Sequence, residues 1–300
     1  MGEAKQKRLL AASGQEAKAS AVAGPWQLSD SNTQLELEAW FKQRGIDPSK
    51  PGLHDTPAFL VAEAQAPAAM NLVARLVEAR SYSPDELKHA EHRILVAASA
   101  IANRVARDGR PGLCVTASSV LSRILDELHV WNYTAKSNLT IHFPHSVSAR
   151  PRYFYSIDEG NFIAPHAIVV APPFAVVDVT VKYQAYDNPA MSAYLPEVAA
   201  SKDFRPYKVN PDELASPVAR AQLRQLGMTV EAFMTRMRSS TVELMKQLPP
   251  REIELTGGRL GYAVMGVAGY QEQLRDLPSN AMIDGMLPME IFEKDVLPKI

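Results

Sequence analysis

One cysteine, placed where an apolar helix begins, constrains this chain more than any other feature. Cys114 is the only cysteine in 300 residues, and residues 113–128 carry apolar side chains on one stripe, which predicts a helix packed on a core. His166 and Asp178 follow, each inside a short β-branched run that predicts a strand. This is the order that a thiol nucleophile, an imidazole base and an orienting carboxylate need.

The position of Cys114 within its helix favours a nucleophilic thiol. In the first turn of a helix, unpaired backbone N–H groups and the helix dipole favour a thiolate. Gly112, just before it, allows a substrate or another chain to approach closely. We expect the backbone N–H of Cys114 to be one oxyanion donor, and the sequence leaves the second donor unassigned.

The spacing between histidine and aspartate makes a claim about strand register. Pro172-Pro173 must form a turn, because proline cannot serve a strand ladder. If the loop spans 171–173, the side chains of His166 and Asp178 face each other directly. A loop of 172–173 puts them on opposite faces of the sheet. The first register predicts a carboxylate that orients the imidazole.

These residues resemble the transglutaminase-like (papain-like) cysteine superfamily over about 111–182. Gly112-Leu113-Cys114 is similar to the start of the Cys helix of that family, and His166-Ala167 is similar to its His strand. Val177-Asp178-Val179-Thr180 resembles the Asp strand, where many members have Asp-Pro-Thr. The sequence departs from the family at Ile168, where an aromatic residue is usual, and it lacks the glycine pair that precedes the cysteine of arylamine acetyltransferases.

The resemblance implies a fold and a reaction class. The fold is a Cys-headed helix packed on an antiparallel sheet. The reaction is cysteine-dependent acyl transfer or amide hydrolysis by a protease, deamidase or transglutaminase-like enzyme, with Cys114, His166 and Asp178 as catalytic triad. A protein or peptide substrate is expected, and no cofactor is implied.

Two hypotheses in which the protein is not an enzyme are also consistent with the sequence. The first is a catalytically inactive transglutaminase-like fold that acts as a protein-binding module, with Cys114 as a small buried hydrophobic residue. The second is a mainly helical interaction protein that uses the methionine-rich face of residues 229–248, which predicts a large exposed apolar patch.

The pattern along the chain predicts an α+β protein in four parts. The parts are a flexible tail at 1–28, a helical N-terminal region at 29–110, the transglutaminase-like core at 111–187, and a mostly helical C-terminal extension at 188–300. Within the extension, the prolines of 188–211 predict a loop, and the apolar pattern of 229–248 predicts a single helix. The Gly257-Gly258 pair predicts the turn of a hairpin.

The composition limits the classes of binding partner and the compartment that we expect for this chain. The formal net charge is −1, so the chain lacks the excess positive charge that is typical of proteins that bind nucleic acid or an anionic membrane surface. One cysteine excludes an internal disulfide and fits a reducing compartment. There is no uninterrupted apolar run of membrane-spanning length and no secretory signal. We therefore expect a cytoplasmic protein that binds neither membrane nor nucleic acid, and the sequence leaves its oligomeric state open.

Two histidine pairs have the spacing of a chelate. His89 and His92, and His142 and His145, are each three residues apart. A solvated helix face explains the first pair and a loop explains the second, so no metal site is predicted.

Overall fold

The computed structural model describes residues 26–66, 68–158, 161–162 and 165–300. The tail expected at 1–28 falls mostly outside them. Trp26, at its end, is described and is buried in the core.

Four α-helices occur among the described residues of the N-terminal region. They are α1 (Ser31–Lys42), α2 (Pro57–Gln65), α3 (Ala69–Ala79) and α4 (Pro84–Asp108). The carboxylate of Asp30 caps α1 by accepting from two backbone N–H groups of its first turn. Ser83 and Glu86 form a reciprocal capping box at the start of α4. These caps set where the two helices begin.

The Cys helix and the strands follow. Helix α5 spans Cys114–Glu127. The strands are β1 (Tyr133–His142), β2 (Arg152–Phe154), β3 (Ile157–Asp158), β4 (Asn161–Phe162), β5 (His166–Ala171), β6 (Phe174–Asp178), β7 (Ala199–Ser201), β8 (Arg205–Pro206), β9 (Arg251–Leu255) and β10 (Gly258–Ala268).

One antiparallel sheet joins the middle and the end of the chain. Its order is β7-β6-β5-β1-β10-β9-β8, with β2 also paired to β1, whereas β3 and β4 form a separate ladder. The expected hairpin of β9 and β10 is present, and Gly257 turns it with a φ of 76° that favours glycine. The fold is therefore mixed α/β around an antiparallel sheet.

The C-terminal part supplies more strands than the mostly helical extension with one hairpin that we expected. Residues 188–300 supply β7, β8, β9 and β10 to the same sheet as the core, and β10 lies beside β1 at its centre. The boundary at 187 therefore does not separate two independent layers. Without β10, the apolar strand β1 would expose an unpaired edge.

Six helices also occur among the described residues of this part. They are α6 (Pro189–Tyr194), α7 (Pro211–Leu214), α8 (Pro217–Gln225), α9 (Val230–Met237), α10 (Ser239–Gln247) and α11 (Pro288–Ile291). The loop expected at 188–211 contains α6, because a proline is tolerated in the first helical turn. The single helix expected at 229–248 is broken at Arg238, which has φ −137° and ψ 38°.

Helices cover both faces of the sheet. One face of the sheet packs against helices α1, α2, α3 and α10. The other face packs against α4 and α5. A smaller apolar cluster forms between the sheet and α7, α8 and α9. The methionine-rich face contributes mainly to these cores. Met234, Leu244 and Leu248 are buried, and Met237 is exposed. Within the described residues, no helix combines the length and hydropathy of a membrane-spanning segment.

A buried ion pair ties α3 to the sheet. The Nη2 of Arg251 in β9 lies 2.5 Å from Oε1 of Glu78 in α3, and the hydroxyl of Tyr133 donates to the same carboxylate. The Nη1 of Arg251 also donates to the carbonyl of Ala175, at 3.2 Å. The side chains of the ion pair are only 2% and 8% exposed, so removal of either partner would leave an uncompensated buried charge.

We therefore expect Arg251→Met to lower the free energy of unfolding by about 3–5 kcal/mol, because Glu78 loses its counter-ion inside the core. The matched control is Arg205→Met, which breaks the exposed pair of Arg205 with Glu254 and should cost less than about 1 kcal/mol. Urea unfolding of both variants measures the difference. Equal losses would contradict the structural weight given to the buried pair.

Candidate active site

Cys114 is the first residue of α5, at a helix start that carries no side-chain cap. The preceding residue, Leu113, supplies no hydrogen-bond acceptor from its side chain. Gly112 has a φ of 76°, and a Cβ there would meet no atom within 4 Å among the described residues. The backbone N–H groups of the first turn are therefore not occupied by a cap from Leu113, and the space in front of Gly112 is open.

The thiol lies against the start of β5. Sγ of Cys114 is 3.9 Å from the carbonyl oxygen of Pro165, the residue before His166. Cys114 is 4% exposed and His166 is fully buried. Cys114, the expected nucleophile, therefore lies close to the start of the strand that carries His166, the expected base. Both residues are almost completely shielded from solvent.

A bulge brings His166 and Asp178 to one face of the sheet. The loop between their strands is the two-residue Pro172-Pro173, because Ala171 pairs with Phe174. That loop alone would put the two side chains on opposite faces, but the ladder shifts and Val169 pairs with Val177. The extra residue in β6 turns Asp178 back to the face of His166, as a diagonal neighbour. The directly facing register that we expected is therefore wrong, whereas its consequence, a shared face, is present.

The imidazole and the carboxylate meet across this diagonal. Nε2 of His166 lies 2.5 Å from Oδ2 of Asp178, and both residues are fully buried. Diagonal neighbours are roughly 7–8 Å apart at the backbone, a gap that the far nitrogen of an imidazole can bridge. The structure thus brings together the three residues that the sequence selected.

The Asp178 carboxylate also accepts hydrogen bonds from other groups of the protein. Its Oδ1 accepts from the backbone N–H groups of Thr180 and Val181, at 3.0 and 2.9 Å. Its Oδ2 accepts from the hydroxyl of Tyr262, at 3.0 Å. These donors, which come from two different parts of the chain, fix the orientation of the carboxylate. Asp178 can therefore hold the imidazole in place.

Aromatic rings flank the imidazole on β2 and β10. The Tyr262 ring is stacked near that of His166, with centroids 6.3 Å apart, and the Phe154 centroid is 6.0 Å away. These rings exclude water from the hydrogen bond with Asp178. In low dielectric, that bond is stronger than it would be in water.

The charges around His166 favour its protonated form. Burial by itself lowers the pKa of His166, but the charge of Asp178, the hydrogen bond to it and the Cys114 thiol together raise that pKa to about 10. Nδ1, the ring nitrogen not bonded to Asp178, is buried and has no hydrogen-bond partner among the described residues. Nδ1 is thus the nitrogen that can exchange a proton with a thiol or a leaving group.

Sequence reasoning missed the residues that support the triad. Thr180 had a local signal, because an aspartate that accepts from the N–H two residues later forms a recognisable turn. Tyr262 is distant in sequence and had no such signal. Its contact with Asp178 depends on the pairing of β10 with β1.

One histidine of the first pair bonds within its own helix. Nδ1 of His89 contacts the carbonyl of Asp85 in the preceding turn of α4, at 2.8 Å. Among the residues that the structure describes, no group of three or more His, Cys, Asp or Glu side chains is placed to hold a metal ion.

No protein-family model matches this chain, and no curated protein or solved structure is significantly similar to it. The geometry of Cys114, His166 and Asp178 is therefore the observation from which a function can be proposed.

The raised pKa of His166 predicts a pH-dependent stability. A histidine with a pKa of about 10 when folded and 6.5 when unfolded stabilises the fold fully below pH 6.5, and this contribution is lost as pH rises through 10. We therefore expect the free energy of unfolding of the wild type to fall between these pH values more than that of His166→Gln. Urea unfolding at several pH values measures this difference.

The control for this experiment is His145→Gln, which changes an exposed histidine. Its stability should follow the wild type across the same pH range. If His166→Gln also follows the wild type, His166 does not carry a raised pKa.

Proposed function

We propose that this protein catalyses cysteine-dependent acyl transfer or amide hydrolysis through Cys114, His166 and Asp178. The observation that carries the proposal is the buried hydrogen bond from His166 to Asp178, 2.5 Å long, beside the thiol at an uncapped helix start. Burial of a charged hydrogen bond is costly unless it is well satisfied, and such arrangements concentrate at functional sites.

Each residue has a defined step. Protonated His166 stabilises a thiolate at Cys114, which attacks the carbonyl carbon of the substrate. The backbone N–H of Cys114 donates to the oxyanion of the tetrahedral intermediate. Nδ1 of His166 gives its proton to the leaving amine or alcohol as the carbon–heteroatom bond breaks, and a thioester remains. His166 then takes a proton from the attacking water or amine, and collapse of the second intermediate releases the thiolate.

The order of helix, His strand and Asp strand supports a transglutaminase-like core. Hydrolysis, deamidation and cross-linking differ only in the substrate and in the acceptor that reaches the thioester. A protein or peptide supplies the acyl group in this proposal. We place the protein in the cytoplasm, because its single cysteine, with no internal disulfide, fits a reducing compartment.

The second candidate is a protein-binding module in which the triad is silent. The burial of Cys114 and of His166 favours it, since a buried thiol behaves as a small hydrophobic residue. The two candidates differ in the reactivity of the thiol in the folded protein.

Alkylation of the single cysteine separates them. We expect iodoacetamide to label native wild-type protein rapidly at pH 6, because protonated His166 stabilises the thiolate, and His166→Asn to label at least about tenfold more slowly. The measurement is the labelling rate across pH 5–9, followed by mass spectrometry. His145→Asn is the matched control and should label like the wild type. Slow labelling that does not depend on His166 would establish Cys114 as a packing residue and support the binding module.

An activated ester tests acyl transfer directly. We expect p-nitrophenyl acetate to release one burst of nitrophenolate per chain and to leave an acetyl group on Cys114. Tyr262→Phe should slow the burst by a factor of about 2–10, because Asp178 loses one neutral donor. Intact-protein mass spectrometry identifies the adduct. Acetylation that persists in Cys114→Ala would refute the assignment of the nucleophile.

A further inference from the structure

Lys136 lies on the face of β1 that α5 covers. Two residues before it, Thr134 donates from Oγ1 to the carbonyl of Ser118 in α5, at 3.3 Å. Alternate residues of a strand share a face, so Lys136 belongs to this helix-facing side. Its neighbour in β5 is Ala167, whose carbonyl accepts from the hydroxyl of Ser118 at 3.0 Å. These two hydrogen bonds to Ser118 therefore fix the position of this part of the sheet, and of Lys136 in it, relative to α5.

The register places Lys136 level with Cys114. The chain reverses direction between α5 and β1. Cys114 lies four residues back from Ser118, roughly 6 Å along the helix, and Lys136 lies two residues beyond Thr134, roughly 7 Å along the strand. Both steps lead toward the same end of the sheet, where the thiol approaches Pro165.

The sheet is open at this point. Every residue of β1 from Tyr133 to Ile141 is buried except Lys136. Its neighbours across the strands are Ala167 and Gly266, which have small side chains or none. A Cβ at Gly266 would meet no atom within 4 Å among the described residues. The space beside Lys136 can therefore hold a small group.

The charge of Lys136 is uncompensated within the described part of the chain, where no carboxylate forms an ion pair with it. Because Lys136 is only partly exposed, its ammonium group gains from a nearby counter-ion. An anionic group bound in the adjacent opening would supply one.

We propose that this opening binds a carboxylate of the acyl substrate, so that the enzyme selects amides or esters whose acyl part carries an acidic group. The inference rests on the proposed function for the reacting thiol. Lys136 acts in it as a specificity residue, and the reaction steps stay with Cys114 and His166.

Two alkylating reagents of nearly equal size test the charge selection. Iodoacetate carries a carboxylate and iodoacetamide is neutral, and Cys114 is the only cysteine that either reagent can modify. We expect Lys136→Met to lower the ratio of the iodoacetate rate to the iodoacetamide rate by about fivefold, because one nearby positive charge is lost. Lys136→Arg should retain the ratio of the wild type, and added salt should reduce that ratio.

The matched control is Lys42→Met, which removes the same charge from an exposed position on α1 and should leave the ratio unchanged. Lys136→Gln replaces Lys136→Met if the methionine variant does not fold. A ratio that stays unchanged in the Lys136 variants, while iodoacetamide labelling remains fast and dependent on His166, overturns the carboxylate site and leaves the proposed function standing. Failure of both reagents to label the native wild type overturns both.

Discussion

The buried carboxylate of Asp178 is the group on which the rest of the site depends. A charge at the end of β6 is tolerated inside the core because donors reach it from three parts of the chain: His166 in β5, Tyr262 in β10, and the turn at Thr180 and Val181. The same hydrogen bonds therefore join the strands and orient the imidazole. Any rearrangement that moved one strand would remove at least one of these hydrogen bonds, which ties the geometry of the site to the stability of the sheet.

The Cys helix is anchored by its other end. Arg123, near the C-terminus of α5, forms ion pairs with Asp126 in the same helix and with Asp55 in the short 3-10 turn before α2. Its Nη1 also donates to Nε2 of His54 at 3.0 Å. Burial and the nearby Arg123 charge lower the pKa of His54 to about 3, so its imidazole stays neutral and accepts this bond. Since these contacts hold the far end of the helix, its first turn at Cys114 can remain uncapped without loss of position.

The sequence predicted the local elements and missed the long-range ones, for a physical reason. Apolar periodicity located α5, and the β-branched runs located the strands of His166 and Asp178, because both signals come from neighbours in sequence. The bulge in β6 had no composition signal, and it decides which face Asp178 occupies. The pairing of β10 with β1 is equally non-local, and without it neither Tyr262 nor Gly266 could be placed near the site.

The cover over the site has two opposite consequences for chemistry. Exclusion of water strengthens the attraction between His166 and Asp178, whose charge helps to raise the pKa of His166 to about 10 although burial by itself lowers it. The same exclusion restricts what can reach Cys114. In the described structure, Gly112 and Gly266 each border open space, where an added Cβ would meet no atom within 4 Å. A substrate that lies across the helix start between them would place its carbonyl near the unpaired N–H groups of the first turn. Burial of the thiol is therefore compatible with catalysis as long as these two openings stay unfilled.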